Sequence, residues 1–75
     1  MNTATLGAAV AKRRKLLGID QRALAEIAGI SVHALSNVET GKGNPTLKTL
    51  SALVGILGME IRLEVRQATA QDEEG

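Results

Sequence analysis

Phenylalanine, tyrosine, tryptophan and cysteine are all missing from this chain of 75 residues. Without aromatic rings, nucleic-acid recognition by stacking bases on side chains is excluded, and with it most single-strand and RNA-binding modules. Without cysteine there is neither a disulfide framework nor a thiolate metal site. His33 is the only histidine, so a zinc site of imidazoles and carboxylates is not expected, and no cofactor is implied. The chain also lacks any run of about eighteen apolar residues and any charged opening segment followed by an apolar one. The expectation is a cytoplasmic protein with no membrane contact.

What remains must build a core from Leu, Ile, Val and Ala. Seventy-five residues allow one domain, and at that size a single core is marginal, so something beyond the monomer core is expected to help. The formal charge of +1 hides an asymmetry. All nine basic residues and five of the eight acidic ones lie before Gln67, leaving that part at +4, while Asp72, Glu73 and Glu74 close the chain. A mildly basic folded part permits a DNA partner without requiring one.

Ile19–Glu39 organises the rest. It holds two short helical patterns, each preceded by a capping residue, Asp20 and then Ser31, able to accept from an otherwise orphaned helix-terminal N–H. Each cap has a hydrophobic staple, Ile19 against Leu24 and Ile30 against Leu35. Gly29 joins the two, where a helix that must end and turn sharply favours the left-handed conformation. Ala25 and Ala28 allow close helix approach, and Leu24, Ile27, Leu35 and Val38 are the expected buried faces. The outward residues of the second helix, His33, Ser36, Asn37 and Thr40, are spaced i, i+3, i+4, i+7 and form one uncharged polar stripe. Such a stripe suits reading a major groove.

Before this unit, a first helix begins after Asn2 or Thr3 and runs to Leu17, with Leu6, Ala9, Val10 and Leu17 as its apolar stripe and Gly18 as terminator. Its last turns, Lys12-Arg13-Arg14-Lys15, oppose the negative end of the helix dipole. Lys12, Arg13 and Lys15 are either a solvated face or phosphate contacts, and Arg13 is the one assigned to phosphate. Arg14 falls on the buried stripe and needs a partner, for which Glu39 is the natural candidate.

After Glu39, Thr40–Pro45 is a loop by every local signal. Gly41-Lys42-Gly43 is a tight turn and no phosphate-binding loop, since no strand precedes it and no Gly-Lys-Ser/Thr follows. Thr46 caps a further helix with Leu47, Leu50, Leu53, Val54 and Leu57 as its apolar face, ended by Gly58. At Met59 the period changes from 3.6 to 2, with Met59, Ile61, Leu63 and Val65 on one face and Glu60, Arg62, Glu64 and Arg66 on the other. This reads as a half-buried strand, with a fifth helix as the alternative. A lone strand leaves both edges unpaired, so the same segment of a second copy is its expected partner across a two-fold axis. Centring that ribbon on Leu63 sets Glu60 opposite Arg66 and Arg62 opposite Glu64, which favours this register over those centred on Arg62 or Glu64. Gln67–Gly75 is polar and without periodicity, a flexible acidic tail.

The block from about Val10 to Leu57 resembles the Cro/repressor-type (XRE-like) helix-turn-helix family. Gln21, Ala25, Gly29, Leu35, Glu39-Thr40-Gly41 and Asn44-Pro45-Thr46-Leu47 carry the likeness. It implies a mostly α, lambda-repressor-like bundle of four or five short helices, here with the C-terminal β-strand pairing across a homodimer. It further implies a structural Arg14–Glu39 ion pair, a phosphate contact from Gln21, and a loop along the DNA backbone that brings in Thr40 and Lys42.

The organisation expected is thus a helix-turn-helix DNA-binding domain over 1–58, a dimerisation strand over 59–66 and the tail over 67–75. The function expected is a repressor acting on a pseudo-palindromic operator, with Val32, His33, Ser36 and Asn37 facing bases in the major groove and half-sites about 34–36 Å apart. The immediate succession of helix-turn-helix and strand also resembles HipB-like antitoxins, which implies a kinase toxin as a further partner. No nucleophile with its base and no paired carboxylates stand out, and His33 lacks an orienting acid nearby in sequence, so an enzyme is not expected.

Overall fold

A computed structural model describes residues 2–66, and the expected tail over 67–75 lies outside them. Helices α1 (Thr3–Leu16), α2 (Gln21–Ala28), α3 (Val32–Glu39) and α4 (Leu47–Ile56) follow one another through short turns. Each begins where a polar side chain takes up an orphaned backbone donor. Thr5 N–H donates to Asn2 Oδ1 at 2.8 Å, Ala23 N–H to Asp20 Oδ1 at 2.8 Å, Ala34 N–H to Ser31 Oγ at 3.0 Å and Thr49 N–H to Thr46 Oγ1 at 3.0 Å. Between α2 and α3, Gly29 has φ +75°, so the turn is made where a side chain would be strained.

The core is wholly aliphatic. Val10, Leu24, Ala25, Leu35, Val38, Leu53, Val54 and Leu57 are buried, and the staple residues Ile19 and Ile30 pack against them with Leu50 and Met59. Helix α2 rests on both α3 and α4, while α1 crosses α3. At that crossing Gly7 is buried, and a Cβ added there would stand 2.0 Å from the Val38 carbonyl oxygen and 2.9 Å from that of Glu39. The first helix therefore reaches the backbone of α3 only because residue 7 has no side chain.

Several residues expected inside are outside. Ile27 is 63% exposed, because the face α2 buries is centred on Leu24, Ala25 and Ala28, roughly 100° around the helix from it. Ala9 and Leu17 of the α1 stripe are also exposed, the latter as the residue that caps the helix. Leu47, the first residue of α4, is 68% exposed. The buried stripe of α1 is instead Gly7, Val10 and Arg14.

No strand occurs among the described residues. Residues 59–66 take no regular secondary structure, neither the expected strand nor the alternative fifth helix. Met59 packs on the core, Ile61 is partly exposed, and Leu63 and Val65 are 96% and 95% exposed. The physical reason is that a ladder needs a second strand, and one copy of this chain offers none. Glu60 pairs at 3.1 Å with Arg62 of its own chain.

Candidate nucleic-acid interface

The outer face of α3 is held in place from behind by one buried cluster. Arg14, only 8% exposed, donates through Nε to Glu39 Oε2 at 2.6 Å and through Nη2 to Oε1 at 3.0 Å, and its Nη1 donates to the Ile19 carbonyl at 2.9 Å. This bidentate pair fastens the end of α3 to α1 and to the entry of α2. The hydrogen bond to Glu39 raises the Arg14 pKa further, outweighing its burial. Burial alone would push the Glu39 carboxyl up, but hydrogen bonds from Arg14 and Gln21 outweigh it and hold the group below the ordinary value.

Gln21 belongs to the same cluster. Its Nε2 donates to Glu39 Oε1 at 2.9 Å, which fixes the amide nitrogen inward and uses one of its two hydrogens. The other hydrogen remains for a further acceptor. The family likeness implies Gln21 at phosphate, and this tie to Glu39 is an additional role that spacing does not reveal.

On the outer face, Val32 is 42% exposed, His33 is exposed, and Ser36 and Asn37 are half-buried, so the four form one continuous surface. His33 Nε2 and Asn37 Nδ2 lie 3.4 Å apart across one helical turn. Thr40 closes the stripe, but its hydroxyl donates back to the Ser36 carbonyl at 2.8 Å, so that proton is already committed. Beside the stripe lies a groove of about 310 Å³ whose walls include Asn37, Lys42, Asn44, Thr46 and Thr49. Lys42 and Lys48 are exposed near it in sequence. Asn44 and Thr49 were not singled out in the sequence; the Asn44-Pro45-Thr46 loop signal marked the turn but not the groove wall it builds next to α3.

Arg13, expected at phosphate, has a structural contact as well. Its Nε donates to the Leu57 carbonyl at 2.9 Å, satisfying an end of α4. This ties α1 to the end of α4, while Lys12 and Lys15 stay exposed.

Two buried positions thus hold α3 at a fixed angle, with an uncharged face turned outward and basic side chains at its margins. Residues 10–63 match the profile of a family described as helix-turn-helix. The chain belongs to that family. The helix-turn-helix domain is 38% identical over 66 residues, 88% of this chain, to the immunity repressor protein of Bacillus phage phi105. Among solved structures it is similar to the clp gene regulator ClgR from Corynebacterium glutamicum, with a TM-score of 0.74 and 31% identity over 77% of this chain. The chain spans 44% of the length of the phage protein and 62% of the ClgR chain. These matches bear out the Cro/repressor-type likeness and the lambda-repressor-like helical bundle. Among the described residues no helix is long and apolar enough to cross a membrane.

Proposed function

We propose that this chain is a DNA-binding transcriptional repressor that acts as a homodimer on a pseudo-palindromic operator. The observation that carries the reading is the outward face of α3, Val32, His33, Ser36 and Asn37, fixed from behind by the buried Arg14–Glu39 pair. Its side chains present hydrogen-bonding groups and one apolar contact at helical spacing, as base edges in a major groove require. Gln21, with an amide hydrogen left over, and Lys42, at the groove beside Asn37, are the phosphate contacts that set the register. Thr40 contributes its oxygen or backbone alone, and Arg13 is at most a secondary phosphate contact because it already holds α4. The names of the two relatives, a repressor and a gene regulator, agree with control of transcription.

The dimer is supported by Leu63 and Val65, almost fully bare on one copy, and by an apolar groove of about 140 Å³ between Leu6, Ala9, Val54, Met59 and Ile61 next to them. The test is a mobility-shift assay at low salt on the segment upstream of the chain's own gene. A shift that weakens steeply as salt rises is expected. Absence of any shift on this segment at low salt counts against the repressor reading.

A second reading is favoured by apolar surface that neither role uses. Leu16 and Ile27, on α1 and α2 and so part of neither the α3 stripe nor residues 59–66, are 72% and 63% exposed. An antitoxin of HipB-like kind would cover such residues with its kinase toxin. Co-purification with the product of the neighbouring gene, lost on Ile27→Glu, is the result that reading expects.

A further inference from the structure

Within the face proposed above to read bases, the contact between His33 and Asn37 has a directional consequence. An asparagine amide nitrogen only donates, so the 3.4 Å approach of Asn37 Nδ2 to His33 Nε2 is a hydrogen bond when Nε2 accepts. That is the neutral imidazole with its proton on Nδ1. Asn37 then keeps one amide hydrogen and its Oδ1 free, the donor and acceptor that meet N7 and the N6 amino group of adenine. When Nε2 carries a proton, two donors face each other. The amide relieves this by half a turn about its last torsion, giving Oδ1 to His33 and turning both hydrogens outward. Two outward donors suit the acceptor-only edge of guanine, N7 and O6.

We infer that His33 is a positioning residue that sets which edge of the Asn37 amide faces DNA, and so which purine is preferred at one position of each half-site. The inference rests on the DNA-binding reading. Other charges do not take His33 away from Asn37. On the elements packed against α3, Arg14 is bonded to Glu39 and Ile19, Arg13 to Leu57, and Asp20 to its own helix start. Among the described residues Lys12, Lys15, Arg22 and Glu26 make no hydrogen bond or ion pair with His33. Glu39, the carboxylate of α3, is held by Arg14 and Gln21, and Lys42 lies on the groove wall beyond Asn37.

The experiment has two arms. In the first, side-chain amide resonances of Asn37 in the full chain without DNA are followed by nitrogen-15 NMR from about pH 8 to about pH 5, together with those of the His33 ring. They are expected to move with the same midpoint as the His33 ring and to stay still in His33→Ala. Asn37 resonances that ignore the His33 titration overturn the inference and leave the DNA reading untouched. In the second, binding sites are selected from a random duplex library at both ends of that range. The wild type is expected to favour adenine at one position at high pH and to shift toward guanine at low pH by about tenfold. His33→Gln, whose Oε1 accepts regardless of pH, keeps adenine at both. His33→Ala loses most of the preference at both. Identical selection by wild type and His33→Ala overturns the inference, whereas no enrichment by any variant removes the DNA-binding reading along with it.

Discussion

At Arg14 and Glu39, whose side chains keep 9% and 6% of their surface, each charge has been taken out of water and is offset by the other, with help from Gln21 and the Ile19 carbonyl. Arg14→Met alone is expected to lower the unfolding free energy by about 3–5 kcal/mol in a urea titration, because the carboxylate is then left with Gln21 only. Arg14→Met combined with Glu39→Leu is expected to lose less than the two single losses added together. Simple additivity in that cycle would show that the two side chains are not coupled. The same carboxylate gives the fold a pH dependence. Because its pKa in the folded chain lies below the ordinary 4.5, the unfolded chain binds the proton first as pH falls. The stabilisation is therefore present in full above that value and is lost as pH drops through the folded pKa. Arg14, raised above its ordinary value, adds nothing to the slope in acid. Thermal melts between about pH 6 and about pH 3 should show a steeper fall for the wild type than for Glu39→Gln.

Among elements, α3 depends on its neighbours for its angle and on its own surface for its meaning. Gly7 lets α1 cross at backbone contact, so Gly7→Ala forces the two helices apart. Despite alanine's better helix propensity, the variant is expected to lose about 1–3 kcal/mol in the same urea titration and to bind DNA more weakly. A more stable Gly7→Ala protein would mean that the crossing has room the structure does not show. On the surface, Asn37→Ala should relax preference at a single base pair, whereas Gln21→Ala should weaken all duplexes alike, as competition binding on a set of singly substituted operators would reveal. What was legible in the sequence follows the range of each interaction. Asp20, Ser31, Thr46 and Gly29 act within three residues of themselves, and all four do in the structure what their spacing predicted. Arg14 was legible too, because a charge on an apolar stripe demands a partner. Gly7 was not, since a glycine inside a helix reads as a weakness until the helix that crosses it is known. Arg13 looked like its basic neighbours, and only the arrival of α4 at Leu57 distinguishes it. Ile27 was misplaced because an eight-residue helix buries a narrower face than its apolar residues suggest.

For the whole molecule, the proposed repressor has to place two reading helices on one duplex. A single α3 of eight residues reaches only a few base pairs, and in the proposed homodimer a second copy held at a fixed distance makes the second contact intramolecular. Residues 59–66 are the segment offered for that purpose, with Leu63 and Val65 bare and Met59 anchored to the core. In an antiparallel ribbon centred on Leu63, residue 63 of each copy faces its counterpart, so Leu63→Lys sets two like charges against each other at the axis. Because Leu63 is 96% exposed on one copy, the substitution leaves the helical fold intact, and circular dichroism should match the wild type. Sedimentation equilibrium is expected to give two chains for the wild type and one for Leu63→Lys, with operator affinity lowered and affinity for an isolated half-site unchanged. A Leu63→Lys protein that remains a dimer would move the axis, and Ile61→Lys then separates the cases. Centred on Ile61, Glu60 still meets Arg62 but Val65 and Arg66 run past the glycine at 58, so that register uses less of the exposed apolar edge.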